Sequence, residues 1–189
     1  MEVLRPATDS DEDILWHMLF YASHANEDPE ADLESIRSNP DLRRYVSDWG
    51  RDGDLGIIAE QDSRAVGAGW LRLFVGDERA SPTFVDDCTP ELALAVLPGH
   101  EGRGLGTRML VQLLSQATQR YPAVALSVRR NNPAQRLYER IGFRRIGIIT
   151  NRVGGQSYKL LLPLPAFRTQ LLVSKPGDAP AQASRTSCP

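Results

Sequence analysis

Apolar and polar residues alternate along the chain with two periodicities, which predict a mixture of strands and helices. Short alternating or continuous apolar runs predict strands over residues 2–5, 54–60, 65–74, 91–96, 124–128, 143–153 and 156–162. Apolar residues spaced by three and four predict helices over residues 9–26, 29–36, 41–49, 105–117 and 133–140. The pattern therefore predicts an α/β fold.

The helix predicted over residues 105–117 has the most regular apolar stripe, and a glycine-rich loop joins it to the strand before it. The loop places Gly102, Gly104 and Gly106 within five residues, so its backbone can approach a ligand without interference from Cβ atoms. Free N–H groups at the positive end of a helix dipole bind anions such as pyrophosphate. The residues around these glycines fit neither the P-loop nor the dinucleotide fingerprint.

Two segments resemble motifs of the GNAT (GCN5-related N-acetyltransferase) family. The acetyl-CoA loop of that family, Val-x-Pro-x-x-Arg/Gln-Gly-x-Gly-x-Gly/Ala, is matched by Val96, Pro98, Gly102, Gly104 and Gly106. Glu101 stands where the family usually has Arg or Gln, and a carboxylate beside a pyrophosphate is unfavourable unless it turns outward. Residues 131–143 resemble the family's Asn-x-x-Ala-x-x-Leu-Tyr-x-x-x-Gly-Phe segment at the same spacing.

The resemblance implies a fold and a cofactor. The fold is a mixed, twisted sheet of six to seven strands whose central parallel strands splay apart, flanked by about four helices. The cofactor is acetyl-CoA as acyl donor, with its pantetheine arm along the strand at residues 91–96. The implied cofactor-binding residues are Leu94, Ala95, Val96, Glu101, Gly102, Arg103, Gly104, Leu105, Gly106, Thr107, Asn131, Ala134 and Tyr138. Arginines near Asn131 are further candidates for the 3′-phosphate: Arg129, Arg130, Arg136 and Arg140.

The implied reaction is acyl transfer from a thioester to an amine, which needs three kinds of group. The backbone N–H near Val96 matches the family's usual oxyanion donor, and Tyr138 matches its usual acid for the departing thiolate. Glu91, at the start of the central strand, is the first choice for the general base, acting through water. Glu60 and His100 are alternatives, and some family members use no dedicated base.

The acceptor is the amine substrate, and the motifs do not describe its binding site. In the family the early helices form part of that pocket, so four aromatic residues are candidate contacts: Trp16, His17, Tyr21 and His24. Residues 75–90 form a long loop that is either a wall of the acceptor site or a solvated charged loop.

Composition indicates one globular domain over residues 1–173, followed by a polar, proline-rich tail over residues 174–189 that we expect to be disordered. The two cysteines, Cys88 and Cys188, are too few for a disulfide framework. No apolar run is long enough to span a membrane, no basic region of a signal peptide precedes the first strand, and no pattern predicts a metal site. These features favour a reducing cytoplasm, and the preference for Arg over Lys favours a bacterial source.

Charge is divided unevenly between the two halves of the sequence. Residues 1–91 carry 21 acidic and 8 basic side chains, whereas residues 92–189 carry 3 acidic and 14 basic ones. The asymmetry predicts either simple packing of opposite halves or a basic cofactor side and an acidic side that attracts a cationic amine. Nucleic-acid binding is disfavoured because no recognised module is present.

Three functions are therefore compared below. The leading one is acetyl transfer to a primary amine of a small molecule or protein. The second keeps the fold but makes the protein an acyl-CoA sensor with little catalysis, for which Glu101 is the sequence argument. The third is a nucleic-acid or partner-binding module. Either a monomer or a homodimer is compatible with the sequence.

Overall fold

Seven strands form one mixed sheet in the computed structural model, which describes residues 2–173. The strands lie in the order β1-β2-β3-β4-β5-β7-β6, and β4–β5 is the parallel pair among antiparallel neighbours. Their bounds are β1 Val3–Pro6, β2 Leu55–Gln61, β3 Arg64–Arg72, β4 Glu91–Val96, β5 Ala123–Arg129, β6 Arg144–Thr150 and β7 Gln156–Pro163. The predicted mixed sheet of six to seven strands is confirmed. The predicted tail, residues 174–189, lies outside the described residues.

Helices cover both faces of this sheet. Their bounds are α1 Glu12–Ala22, α2 Leu33–Ser38, α3 Pro40–Arg43, α4 Leu105–Ala117, α5 Gln135–Ile141 and α6 Leu164–Val173. The first face carries α4 to α6, and the apolar stripe of α4 is fully buried there. The second face carries α1 to α3. The described residues thus contain six helices rather than about four. The apolar pattern predicted five of them, and the sixth, α6, was not predicted.

The early helices differ from their predicted bounds. The second helix begins after Asp32, not at Pro29, because the Asp32 carboxylate accepts the N–H of Ser35 at 2.8 Å and so caps the helix there. The third begins after Asn39 and ends at Arg43 instead of continuing to residue 49. Residues 44–50 form turns, because the backbone carbonyls of that segment bind side chains from β3 instead of helical N–H groups.

The central strands β4 and β5 pair at one end and then separate. Their ladder consists of the single pair Glu91–Ala125, and the N–H of Ala125 donates to the carbonyl of Pro90 at 3.0 Å. Beyond this pair, no register joins residues 92–96 to β5. The splayed parallel strands implied by the resemblance are therefore confirmed, and Glu91 lies at the closed end of the gap.

The two faces of β4 carry side chains of different size. Leu92, Leu94 and Val96 pack against the α4 side, whereas Ala93 and Ala95 lie in the cluster beneath α1. Small residues on the second face let α1 pack close to the strand. No helix among residues 2–173 is long and apolar enough to cross a membrane.

Candidate active site

The gap between β4 and β5 is lined by backbone groups without partners in the sheet. The N–H of Leu97 donates to the carbonyl of Val66 on β3 at 2.9 Å, whereas the carbonyl of Pro90 faces β5. Because backbone groups alternate in direction along a strand, the C=O of Leu92 and the N–H and C=O groups of Leu94 and Val96 face the open part of the gap. An extended ligand can pair with them as an added strand, which fits the predicted pantetheine site.

The gap opens onto the glycine-rich loop, whose backbone N–H groups are also free. Within the described chain, no acceptor hydrogen-bonds the seven consecutive N–H groups of residues 101–107. The first satisfied N–H of this region belongs to Arg108, which donates to the carbonyl of Gly104 at 3.0 Å. Such a run at the start of a 13-residue helix is an anion site. The structure therefore fits the pyrophosphate of acetyl-CoA at the predicted loop.

Two glycines of this loop are favoured by their backbone conformation. Gly102 and Gly104 have φ of 73° and 77°, which side-chain-bearing residues rarely adopt. A Cβ at either position would meet nothing within 4 Å, so both face open space where a ligand can approach. At Gly106 a Cβ would lie 3.7 Å from a methyl carbon of Val96, which is an ordinary van der Waals contact, so this position also has room for the alanine that the family pattern allows.

The polar residues of the loop are directed to solvent. Glu101 and Arg103 are exposed, Thr107 is half-buried, and Leu105 is buried in the core, so only its backbone is available to a ligand. Among the four arginines considered for the 3′-phosphate, Arg129 is paired with Glu27 at 2.7 Å. The other three are exposed and have no carboxylate within 4 Å among residues 2–173: Arg130, Arg136 and Arg140. The same holds for Arg103 of the loop.

Tyr138 lies on α5 and packs edge to face on Phe143, with ring centroids 5.7 Å apart. Its side chain is buried, and burial raises its pKa to about 12. No described group hydrogen-bonds its hydroxyl, which is nevertheless not sealed from solvent. Tyr138 is therefore a protonated donor whose O–H is available to a ligand.

The start of α5 is held by Asn132 rather than by Asn131. The side-chain oxygen of Asn132 accepts the N–H of Ala134 at 2.8 Å, and its amide nitrogen lies 3.1 Å from Nε2 of His24. Asn131 is exposed, and no described residue hydrogen-bonds its side chain. The local positioning role considered for Asn131 thus falls to its neighbour, while cofactor contact by Asn131 stays a prediction.

Glu91 is buried at the closed end of the gap and held by three hydroxyl groups. The hydroxyl of Tyr45 donates to one carboxylate oxygen, and the hydroxyl of Ser81 lies 3.5 Å from the other. Burial raises the pKa of Glu91 to about 7, although hydrogen bonds from Tyr45, Thr83 and Ser81 act in the opposite direction. A carboxyl with this pKa can accept a proton near neutral pH.

The residues that hold Glu91 are themselves fixed by β3. The indole N–H of Trp70 donates to the carbonyl of Tyr45 at 3.0 Å. Arg72 is fully buried, forms an ion pair with Asp54 at 2.6 Å, and donates to the carbonyl of Ser47 at 2.7 Å. The turn that carries Tyr45 therefore rests on a buried ion pair, an arrangement that the sequence pattern did not reveal.

The alternative bases are less well placed. Glu60 lies on β2 and accepts a hydrogen bond from Arg5 at 2.8 Å, so its carboxylate is committed to an ion pair two strands from the gap. His100 precedes the glycine loop, and its Nδ1 is buried without a hydrogen-bond partner among the described residues. Burial and position thus favour Glu91, which is also the first choice from the sequence.

The predicted acceptor residues on and after α1 divide into two groups. Trp16 is buried and donates to Glu12 at 3.0 Å, which is a core position. His17 and Tyr21 stack edge to face with centroids 5.4 Å apart, and both retain exposure. The imidazole of His24 contacts the side chain of Asn132, which follows β5 in the sequence. Three of the four candidates are therefore accessible to a ligand, and His24 lies next to the end of β5.

The loop over residues 75–90 lies against the catalytic candidate. It includes a short 3-10 helix at Gly76–Ala80, which is tied to the protein by an ion pair of 2.8 Å between Arg51 and Glu78. Its Ser81 is buried against Glu91, and Thr83 is also buried. The loop thus covers one end of the gap, and its hydroxyl groups are site residues that its charged composition concealed.

Comparison with known proteins decides the family. The model of the acetyltransferase (GNAT) family matches residues 16–143, from α1 to the start of β6. The chain belongs to the GNAT family. A mycothiol acetyltransferase from Acidothermus cellulolyticus is 30% identical over 154 residues, which is 78% of this chain and 45% of that protein. This GNAT chain spans less than half the length of that relative.

Solved structures confirm the GNAT fold. A ribosomal-protein-alanine N-acetyltransferase from Brucella melitensis superimposes with a TM-score of 0.62 at 20% identity, covering 85% of this chain and 99% of the other. A putative acetyltransferase from Salmonella typhimurium, solved with its cofactor acetyl-CoA, gives 0.61 at 21% identity, covering 86% and 94%. GNAT acetyltransferases use acetyl-CoA, in agreement with the cofactor predicted from the loop.

Proposed function

We propose that this protein transfers the acetyl group of acetyl-CoA to a primary amine of a small molecule or protein. The observation that carries the proposal is the continuity of unpaired backbone groups from β4 into the glycine loop. The edge of β4 suits an extended pantetheine arm, and the glycine loop suits a pyrophosphate. A ligand that lacks either group would leave one of these two sets of backbone groups unpaired. Several N-acetyltransferases have similar folds, among them the Brucella melitensis enzyme, and they support an amine as acceptor.

Glu91 is the proposed base. An alkylammonium has a pKa of about 10 and must lose a proton before it can attack a carbonyl. At about 3.3 Å per strand residue, Glu91 lies about 10 Å along β4 from Leu94 and about 16 Å from Val96. These separations require the proton to reach the carboxylate through water. The pKa of about 7 keeps a large fraction of Glu91 ionised at neutral pH.

Val96 and Tyr138 are the proposed groups that stabilise the two negative charges of the reaction, on the carbonyl oxygen and on the departing thiolate. Acetyl-CoA supplies the activated acetyl group. The N–H of Val96 faces the gap and can donate to an oxygen that gains negative charge. Tyr138 can donate a proton to a departing thiolate, because its pKa of about 12 keeps the hydroxyl protonated at neutral pH and well above it.

A thiol-release assay tests the proposal. The purified protein, acetyl-CoA and a panel of primary amines are expected to release free CoA in proportion to acetylated product identified by mass spectrometry. Tertiary amines of matched size, which cannot form an amide, serve as controls and should release none. Binding of acetyl-CoA without release on any primary amine would refute amine acetylation and support an acyl-CoA-binding protein instead.

A further inference from the structure

Ser127 is exposed although it lies on β5, in the interior of the sheet. Its neighbours Leu126 and Val128 are buried on the α4 side, so Ser127 faces the side of α1 to α3. On that side α1 packs over Ala93 and Ala95 of β4 but leaves Ser127 uncovered. The second face of the sheet therefore has an open cleft whose floor is the middle of β5.

Contacts on each side of Ser127 define the walls of this cleft. On one side the 75–90 loop crosses the sheet, and its Phe84 carbonyl accepts a hydrogen bond of 2.8 Å from Nζ of Lys159 on β7. On the other side Glu27 pairs with Arg129 at 2.7 Å, next to the contact between His24 and Asn132. The cleft lies beside the gap that suits the pantetheine arm, which is where an acceptor must enter.

The floor of the cleft continues across three neighbouring strands. The sheet register places Lys159 opposite Ser127 on one side and opposite Gly147 of β6 on the other. A Cβ at Gly147 would meet nothing within 4 Å, and Gly147 is exposed. Lys159 is therefore flanked by a hydroxyl group and by open space, so a ligand can reach its ammonium group along this floor.

The ammonium group of Lys159 has no counter-ion within the described chain. No carboxylate lies within 4 Å of it, whereas Arg129 is paired with Glu27, and Arg145 on β6 is paired with Glu139. One of its three N–H donors binds the Phe84 carbonyl, which leaves two for a ligand. A half-buried cation held in place by the backbone and lacking a charge partner favours an anionic ligand group.

We propose that Lys159 is a specificity-determining residue that binds a carboxylate of the acceptor, so that the preferred acceptors are primary amines carrying a carboxylate a few bonds away. The inference rests on the proposed acetyl transfer to amines. An amine over the gap and a carboxylate at Lys159 lie on opposite sides of β5, and neighbouring strands of a sheet are about 4.8 Å apart. The acceptor is thus a zwitterion whose ammonium end retains the cationic character expected from the charge asymmetry.

Matched pairs of amines with and without a carboxylate test the inference. The pairs are β-alanine with propylamine, γ-aminobutyrate with butylamine, and phenylalanine with phenethylamine, measured as kcat/KM for CoA release. Wild-type protein is expected to prefer the carboxylate member of at least one pair by about two- to fivefold, the size expected for one partly exposed ion pair. The Lys159→Met variant should lose that preference through a higher KM, and Lys159→Arg should keep it.

The ratio of the kcat/KM values within a pair distinguishes a role of Lys159 in substrate recognition from a purely structural role. If Lys159 served only to fix the 75–90 loop, Lys159→Met would slow both members equally and leave the ratio unchanged, and the inference would be overturned. Turnover without a carboxylate preference in any pair would overturn it as well, while leaving the acetyltransferase intact. Acetyl-CoA binding without turnover of any amine would instead refute the proposed function on which the inference rests.

Discussion

Glu91→Gln is expected to lower kcat about a hundredfold and to abolish the acidic limb of the pH–rate profile, the loss typical of a missing general base. In wild-type protein the base must be deprotonated, so kcat/KM should fall as pH drops below about 7, the pKa that burial gives Glu91. Glutamine keeps the volume and the hydrogen bond from Tyr45 but cannot accept a proton. Its residual rate should be independent of pH in this range.

A second readout of the same variant does not depend on the reaction. The folded-state pKa of Glu91 is raised from 4.5 to about 7, so the carboxyl stabilises the fold below pH 4.5 and that contribution is lost as pH rises through 7. The free energy of unfolding of wild type should therefore fall relative to Glu91→Gln by about 3 kcal/mol across this range. Denaturant titrations of both proteins at pH 5 and pH 8, about two units below and about one unit above the pKa of Glu91 in the folded state, measure this change in the free energy of unfolding.

Glu60→Gln is the matched control for both measurements. Glu60 is bound to Arg5 and lies two strands from the gap, so its replacement should leave the acidic limb in place. A wild-type acidic limb that persists in Glu91→Gln would exclude Glu91 as the base. A limb removed by Glu60→Gln would transfer the role to Glu60.

Tyr138→Phe is expected to reduce kcat at least tenfold while leaving acetyl-CoA affinity within about twofold, because only the proton donor is removed. The ring contact with Phe143 survives the substitution, so packing is preserved. No described group hydrogen-bonds the hydroxyl, and its removal therefore leaves no buried partner unsatisfied. Turnover and acetyl-CoA binding are measured separately, by thiol release and by titration calorimetry.

Tyr121→Phe provides a control of the same chemistry at a different place. Tyr121 is also buried with a pKa of about 12, but its hydroxyl donates to the carbonyl of Gly53, away from the glycine loop and the gap. This variant should lose stability and keep turnover per folded molecule. Equal turnover in Tyr138→Phe and wild type would remove Tyr138 from the mechanism.

Local sequence signals predicted the elements that form the candidate cofactor site. The three glycines, the apolar stripe of α4 and the alternation of β4 each depend on neighbours within a few residues, so the sequence shows them directly. The same alternation predicted that Glu91 begins β4, and the structure places the beginning of β4 at the closed end of the gap. These parts of the fold agree with the prediction because short-range pattern and tertiary structure favour the same conformation.

The acceptor side could not be predicted because its contacts join residues far apart in sequence. Tyr45 looked like a helical core residue, but Trp70 and Arg72 draw its segment into turns and direct its hydroxyl to Glu91. Lys159 reaches a carbonyl 75 residues away, and only the strand register places it beside Ser127. No periodicity records such contacts, and polar loop residues such as Ser81 gave no local signal.

The measurement that tests the central claim most directly is the thermal stability of the protein with saturating acetyl-CoA. Ligand at about a hundred times its Kd should add about 2.7 kcal/mol, which raises the Tm of a protein of this size by about 5–10 °C. Gly104→Val should lose most of this rise, because it places a side chain in the anion site and strains a backbone with φ of 77°. Gly154→Val is the matched control, with φ of 79° and equally open surroundings in the β6–β7 turn, and it should keep the rise. No rise in wild type, or an undiminished rise in Gly104→Val, would contradict acetyl-CoA binding at this loop.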